Sequence, residues 1–583
     1  MASTTFQVEG GNSSAPFTLK VHRGDGMALL AMNWRSGKPP RDFAGFSIEF
    51  REPGSDKFWP LLNSLGFPGQ RTKFTDPPID STRAPIQKFR WVHFPGNAEQ
   101  KGEFTYRVTP CFMDAGGTLS RGEPQTASIR LMRETLPGKL NVAFTRGFVS
   151  SQAFVRRWAP DAKLSTLLPD DNRKGLEFTP THKNAEKAHA WMGFEARSAI
   201  CELLDDAIAN PTAEVRAIAF ELNLPELLTR FEKLGPRLKI IFDDSDDKDE
   251  PAASESQSAA RLIKKKAQVV RQHMVNLQHH KSIGVRGPGI NKVLYGSTNF
   301  TWRGFYVQSN NAVIVNSKKA VNDYFAAFDD YFTAKNADAF KASKAPATFF
   351  PLGIAGLDAK VGFSPHGKTN GLLEAVGKDI AKAKSCVLFS LAFLGQMKKG
   401  PIGPALGKQI QSATVHTLGI ADARVKEENL GVTVLSPDNK RRVVRSSALT
   451  QNVPAPFATE PSGLAGKDGN ERGTRMHHKF VVLDFDRADA RVYFGSYNFS
   501  EPADTDNGEN LLLVKDRTVA TTYMIEAVRL YDHYRLRSLR EDAKGKGKKV
   551  LELQLPPTKA SEKPWWQKDW DDPARKRDRE LFS

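Results

Sequence analysis

The residues best suited to chemistry fall in two stretches that echo each other. The first, 278–311, holds His279, Lys281, Gly296, Ser297, Thr298 and Asn299. The second, 476–510, holds His477, Lys479, Asp484, Gly495, Ser496, Tyr497 and Asn498. Each is a His-x-Lys followed by Gly-Ser-x-Asn-Phe, with 17 positions from His279 to Gly296 and 18 from His477 to Gly495. Residues two apart on a strand face the same way, so each imidazole shares a face with one ammonium. The Gly-Ser-x-Asn turn adds a hydroxyl and an amide, and its glycine permits close backbone approach to an anion. Two such sets related by a pseudo-twofold would surround one phosphate with two His, two Lys and two Asn. A lone His-x-Lys or a lone Gly-Ser-x-Asn is common in structural settings. Two copies of both, in order and at matched spacing, point to one composite site.

These motifs resemble the signature of the phospholipase D superfamily, HxKx4D followed by GSxN. The second copy is complete, with His477, Lys479, Asp484, Gly495 and Ser496. The first has Arg286 where the Asp would stand, and tyrosyl-DNA phosphodiesterases of the superfamily also lack that Asp. Many nucleases of the superfamily, and the related mitochondrial cardiolipin hydrolase type, continue as GSxNFT … A … NxEN. Here the second copy reads Gly495-Ser496-Tyr497-Asn498-Phe499-Ser500, then Ala503, then Asn507-Gly508-Glu509-Asn510. The first reads GSTNFT, with Asn310 in the place of Glu509. The resemblance covers roughly 140–540.

The resemblance implies metal-independent phosphodiester chemistry without a cofactor. One His attacks phosphorus to form a phosphohistidine; the other protonates the leaving oxygen and then activates water. Lys281, Lys479, Asn299 and Asn498 hold the non-bridging oxygens. Ser297, Ser496 and Asn310 support them, and Asp484 is a structural partner rather than a catalyst. The inequality of Asn310 and Glu509 gives the rings different jobs, because a neighbouring carboxylate favours imidazolium. If Glu509 backs His477, that ring is the better acid. If Asn310 backs His279, that ring is held neutral and is the better nucleophile.

Around the motifs the chain reads as several domains: an N-terminal all-β sandwich followed by an α/β, duplicated catalytic region. Residues 1–133 alternate apolar and polar positions in short runs such as 43–52, 86–95 and 103–113, separated by turn residues. They resemble a fibronectin type III or immunoglobulin-like module, with Trp91 and Tyr106 as core candidates and a protein partner as a possible client. The α/β texture divides into a first half, 134–345, and a second, 346–540, offset by about 198 residues between motifs. In the first half, 243–258 reads as an exposed acidic loop and 262–275 as a basic helix leading into the motif. In the second, a long loop rich in Arg, Pro and Gly spans 436–474. The tail, 541–583, is basic but carries Trp565, Trp566 and Trp570, which are unusual in disorder and point to packing on the body or at the substrate groove.

Composition narrows the partners. Lys and Arg number 84 against 66 Asp and Glu, a formal net charge of +18, which favours a polyanion such as nucleic acid or an anionic membrane. The three cysteines, Cys111, Cys201 and Cys386, are far apart, so there is no zinc-type cluster and no disulfide framework. No signal peptide and no bilayer-spanning apolar run is evident, which predicts a soluble, cytoplasmic protein. The leading reading is a nuclease acting on DNA or RNA, with Lys264, Lys265, Lys266, Arg441, Arg442 and Arg445 able to follow a phosphate backbone. A phospholipase acting on phosphatidyl head groups or cardiolipin is the alternative. A third reading is an anion-binding protein with a degenerate core.

Overall fold

In the computed structural model the described residues are 5–583 except 74–75, 132, 159–163, 170–173, 335, 348, 368–371, 399, 422–442 and 446–475. They form two compact units, Met1–Arg133 with Thr521–Ser583, and Glu134–Ala520.

The first unit is built on two antiparallel sheets. One runs in the order Gln7–Glu9, Phe17–Arg23, Ala28–Trp34, Arg90–His93; the other places Leu119–Arg121, Phe104–Met113, Phe43–Arg51 and Trp59–Pro60 side by side. Gln125–Ile129 also pairs with Phe104–Met113. Alternate residues of these strands, among them Phe17, Leu19, Val21, Phe46, Ile48, Phe104, Tyr106 and Val108, meet in one apolar core. Tyr106 is fully buried there, and Trp91 packs partly buried against the same core.

The tail completes this sandwich. Trp566 joins the core, with Trp565 and Trp570 packed against it. The indole N–H groups of Trp565, Trp566 and Trp570 donate to the carbonyls of Phe43, Pro40 and Gly37 respectively, so the apolar rings pack without orphaning a donor. Helical residues after Thr521 belong to the sandwich too, although 540 was the expected end of the second catalytic half. Asp532 pairs with Arg90 at 2.6 Å, and Ile525 packs over Gly24.

The second unit contains two sheets of matching topology. The first is ordered Leu140–Phe144, Asn311–Asn316, Ile290–Gly296, Lys281–Gly287, Glu214–Ala219, Leu238–Phe242, Gln268–Arg271. The second runs Phe350–Pro351, Asp358–Ser364, Glu509–Lys515, Arg491–Gly495, Lys479–Leu483, Cys386–Leu391, His416–Ala421, Val443–Arg445. Apart from the short strand Phe350–Pro351, the two orders correspond strand for strand. In both, the motif strand pairs antiparallel with its neighbours, and the three strands beyond it run parallel to one another. Strands such as Lys479–Leu483 and Cys386–Leu391 are buried along their whole length, which explains their continuous apolar runs.

Two expectations for the first half are corrected. The acidic stretch 243–258 is not a simple exposed loop. It carries a short 3-10 turn, Asp246–Asp249, and the start of the helix Ser254–Lys264. Its buried polar groups have partners: Asp243 accepts from the Gln278 N–H, and Glu255 accepts from the Leu222 N–H. The basic stretch 262–275 is not one helix. Lys266 takes a positive φ of 66°, which ends the helix, and the β-branched pair Val269-Val270 then continues as a strand parallel to Lys239–Phe242. Lys264, Lys265 and Lys266 are exposed at this break; Arg441, Arg442 and most of the 436–474 loop lie outside the described residues.

Candidate active site

Both histidine motifs sit at the entrance to a central strand. His279 and His280 immediately precede Lys281–Gly287, and His477 and His478 precede Lys479–Leu483. The backbone of each is docked onto the opposite half. The His279 N–H donates to Gly508 O at 2.8 Å, and the His477 N–H donates to Ser309 O at 3.1 Å. This exchange brings the two imidazoles face to edge, with ring centroids 6.5 Å apart.

The turns that carry the amides are equally symmetric. Gly296 and Gly495 adopt φ of 142° and 152°, and a Cβ at either would collide with Asn311 O or Asn510 O. Asn311 Oδ1 and Asn510 Oδ1 accept the N–H of Ser297 and Ser496. The Ser hydroxyls reach the next position. Ser297 Oγ donates to Asn310 Oδ1 at 2.9 Å, and Ser496 hydrogen-bonds the Glu509 carboxylate.

Those acceptors in turn hold the rings, but across the halves. Glu509 backs His279, with Nδ1 at 2.9 and 2.8 Å from its two oxygens. Asn310 backs His477, with Oδ1 3.0 Å from Nδ1, and Ser297 O adds a contact at 3.1 Å. The premise that Glu509 backs His477 and Asn310 backs His279 is therefore reversed. The cause is topological: each Gly-Ser turn presents its supporting side chain to the ring of the other half, not to its own.

The geometry also fixes a tautomer. Asn310 Nδ2 donates to Gly304 O, so its Oδ1 is the end facing His477. His477 then carries its proton on Nδ1, and its Nε2 accepts from Lys479 Nζ at 2.9 Å. Lys281 Nζ reaches back to His279 O at 2.5 Å.

Every group is buried, and burial dominates the electrostatics. It pushes Glu509 up to about 8, against the pull of Lys281 and Lys479. It drives His279 and His477 well below the ordinary imidazole range, with the two lysines adding to the effect. Burial lowers Lys281 to about 7, while Glu509, Glu221 and Asp243 oppose it. Lys479 is also held well below its usual range by burial, with Lys281 adding repulsion. An anion placed beside the two buried lysines would favour their charged forms.

Asn299 is buried and donates through Nδ2 to Glu221 Oε2 at 2.9 Å; Asn498 is half-buried. Neither Asn carbonyl oxygen has a hydrogen-bond partner among the described residues. Asp484 stands away from the rings. It accepts the N–H groups of Lys384, Ser385 and Cys386 at 2.9, 2.7 and 3.1 Å, at the start of the neighbouring strand. Arg286, at the matching position, instead pairs with Glu214 at 2.8 Å at the start of its own neighbouring strand. The departure from Asp thus changes a structural tie rather than the reacting groups.

Three residues near the site escaped the motif reading. Phe220 lies 4.7 Å from His279 and under Lys281, and Phe393 lies 6.3 Å from His477. Glu221 follows Phe220. All three sit just past the ends of apolar strands, which was the available signal. The middle histidine of the first motif is also used: His280 accepts from Asn510 Nδ2 and donates to Tyr331 Oη, bridging the halves.

A family model described as "Cardiolipin synthase, PLD-like domain" matches residues 204–332 and 423–530. No curated protein matches the chain. Among solved structures, polyphosphate kinase from Porphyromonas gingivalis is 11% identical over 56% of this chain and 44% of its own, at TM-score 0.36. This chain therefore spans less than half the length of that protein. Phosphatidylserine synthase of Haemophilus influenzae Rd KW20 is 12% identical over 62% of this chain and 94% of its own, at TM-score 0.39. The phospholipase D family member Nuc from Salmonella typhimurium is 20% identical over 23% of this chain and 86% of its own, at TM-score 0.20. The two matched segments of the family model fall one in each half, and each contains one His-x-Lys strand, so both halves are similar to a phospholipase D-like domain.

Proposed function

We propose that the protein hydrolyses phosphodiester bonds of nucleic acid, without a metal, through a phosphohistidine on His279. The crossed support of the two rings is the observation that carries the mechanism: burial keeps the Glu509-backed His279 neutral at rest despite the carboxyl group behind it, so Glu509 is read as stabilising the cationic, phosphorylated ring and not as making His279 the resting acid. Attack by His279 Nε2 forms a P–N bond and leaves a positively charged ring, because Nδ1 keeps its proton. Glu509, 2.8 Å behind, offsets that charge in its carboxylate form, which burial makes fully available only as pH approaches about 8. His477 has only neutral acceptors behind Nδ1, and its Nε2 accepts from Lys479 Nζ at 2.9 Å, a contact through which it can take up a proton. Protonated there, it gives the proton to the leaving oxygen as the P–O bond breaks. It then takes a proton from water, which attacks phosphorus and releases His279. Lys281, Lys479, Asn299 and Asn498 hold the non-bridging oxygens and do the work a metal would otherwise do.

The net charge of +18 favours a polyanionic chain as substrate. The description of the matching family model, a cardiolipin synthase domain, favours a second reading in which the same chemistry acts on phospholipid head groups. The test is incubation in EDTA with single-stranded DNA, duplex DNA, RNA and phospholipid vesicles, alongside His279→Ala and His477→Ala. Cleavage of nucleic acid by the parent alone is the expected result. Cleavage of lipid only would replace the substrate, and loss of activity in EDTA would overturn the metal-free mechanism.

A further inference from the structure

Glu221 lies outside both motifs, yet its carboxylate holds one of their amides. Asn299 Nδ2 donates to Glu221 Oε2 at 2.9 Å. An Asn amide has nearly the same shape either way round, so its partners decide which end faces where. A carboxylate accepts only, so Glu221 commits the nitrogen end of Asn299 to its own side. One N–H is satisfied there, and the second remains for a ligand.

The second half is built differently at this point. Phe220 N–H bonds to His280 O at 3.0 Å, and Ala392 N–H bonds to His478 O at 3.2 Å. The next residues therefore correspond, and Phe393 stands where the first half has Glu221. Asn299 is anchored by a charge, and its counterpart Asn498 has an apolar ring at that register. Glu221 also belongs to the charges that face Lys281. Glu509 and Asp243 share its sign, and Lys248 opposes it. Lys281 in turn acts on His279, His477 and Lys479.

We infer that Glu221 is a positioning residue of the first half-site: it fixes the Asn299 amide to offer one N–H to a bound oxyanion, and its negative charge balances the buried Lys281 ammonium. The inference rests on the phosphodiesterase reading above. It gives the His279 side two carboxylates, Glu509 and Glu221, and the His477 side none in the matching places. Lys281, lowered to about 7 by burial, depends on such neighbours to stay charged near neutrality.

Two variants separate the parts. Glu221→Gln keeps a side-chain acceptor for Asn299 and removes the charge. Glu221→Ala removes both. Turnover of bis(p-nitrophenyl) phosphate is followed against pH, because this probe is indifferent to a nucleic-acid or lipid preference. Glu221→Gln is expected to keep kcat within about threefold of the parent at pH 6, while the alkaline limb of kcat/KM moves about one unit lower. The direction follows from Lys281: without the nearby negative charge its ammonium deprotonates at lower pH. Glu221→Ala is expected to lose about tenfold or more in kcat at every pH. Affinity for tungstate, measured by calorimetry with the same variants, reads the oxyanion site without chemistry. There Glu221→Ala should bind about tenfold more weakly at pH 6 and Glu221→Gln should be close to the parent. Variants that equal each other in both assays, or an alkaline limb unmoved in Glu221→Gln, would overturn the inference. If the parent binds tungstate in this pattern but turns over no diester, the phosphodiesterase reading fails and the role of Glu221 stands.

Discussion

His279 Nδ1 lies 2.8 Å from Glu509 Oε2, across 230 positions of sequence and between the two halves of the catalytic unit. This contact ties the halves together, since the Nδ1 of each ring is held by a side chain of the other half. Glu509→Gln keeps the shape but removes the charge that offsets a phosphorylated ring. It should lower kcat by roughly 100-fold with a smaller change in KM, which steady-state kinetics on the diester probe would show.

The pH dependence follows from Lys281. Burial lowers it to about 7, and it must carry its proton to hold a phosphoryl oxygen. A lysine is charged below its pKa and a carboxyl group above it, so with Glu509 near 8 the profile of kcat/KM should be bell-shaped, highest between about pH 7 and 8 and falling above as Lys281 loses its proton. Burial holds both rings below the ordinary imidazole range, so His279 stays neutral well into the acid range, and in the proposed mechanism His477 takes up its proton only during the reaction. A profile of kcat/KM from pH 5 to 9 checks this. A rate still climbing at pH 9 would contradict it.

Asp484 and Arg286 occupy matching positions but should respond differently to mutation. Asp484 is buried and accepts three backbone N–H groups. Asp484→Ala orphans all three and should cost about 2–4 kcal/mol in denaturant unfolding. Arg286 and Glu214 are both largely exposed, at 42% and 48%. Arg286→Ala should cost less than about 1 kcal/mol, and its kcat should match the parent.

Trp566 tests the role of the tail. Its ring is buried in the sandwich core, so Trp566→Ala should destabilise that unit by about 3 kcal/mol. A calorimetric scan would show the lowered transition. An unchanged scan would mean that the tail is not part of the folded core.

The repeat was the most legible feature of the sequence. Matched spacing of His279 to Gly296 and His477 to Gly495 gave the duplication, and apolar runs such as 386–391 gave buried strands. What spacing could not give was which half supports which ring. Asn310 and Glu509 stand on equivalent turns, and only the three-dimensional exchange at Gly508 and Ser309 decides their partners. Composition also misled locally. The acidic run 243–258 looked solvated, yet Asp243 and Glu255 are buried because backbone N–H groups needed acceptors there. Glu221 was hidden because a carboxylate two positions past a strand end has no signature until its partner, Asn299, is brought 2.9 Å away.

The central claim is a covalent phosphate on His279, released with the help of His477. The most direct measurement is alkaline quench of His477→Ala after mixing with a diester that has a good leaving group, followed by peptide mass spectrometry. Such a substrate needs no acid for attack, but release of the adduct still needs a base. Phosphate should accumulate on the peptide containing His279. Phosphate on His477 of a turning-over His279→Ala enzyme, or turnover with no labelled histidine in either variant, would contradict it.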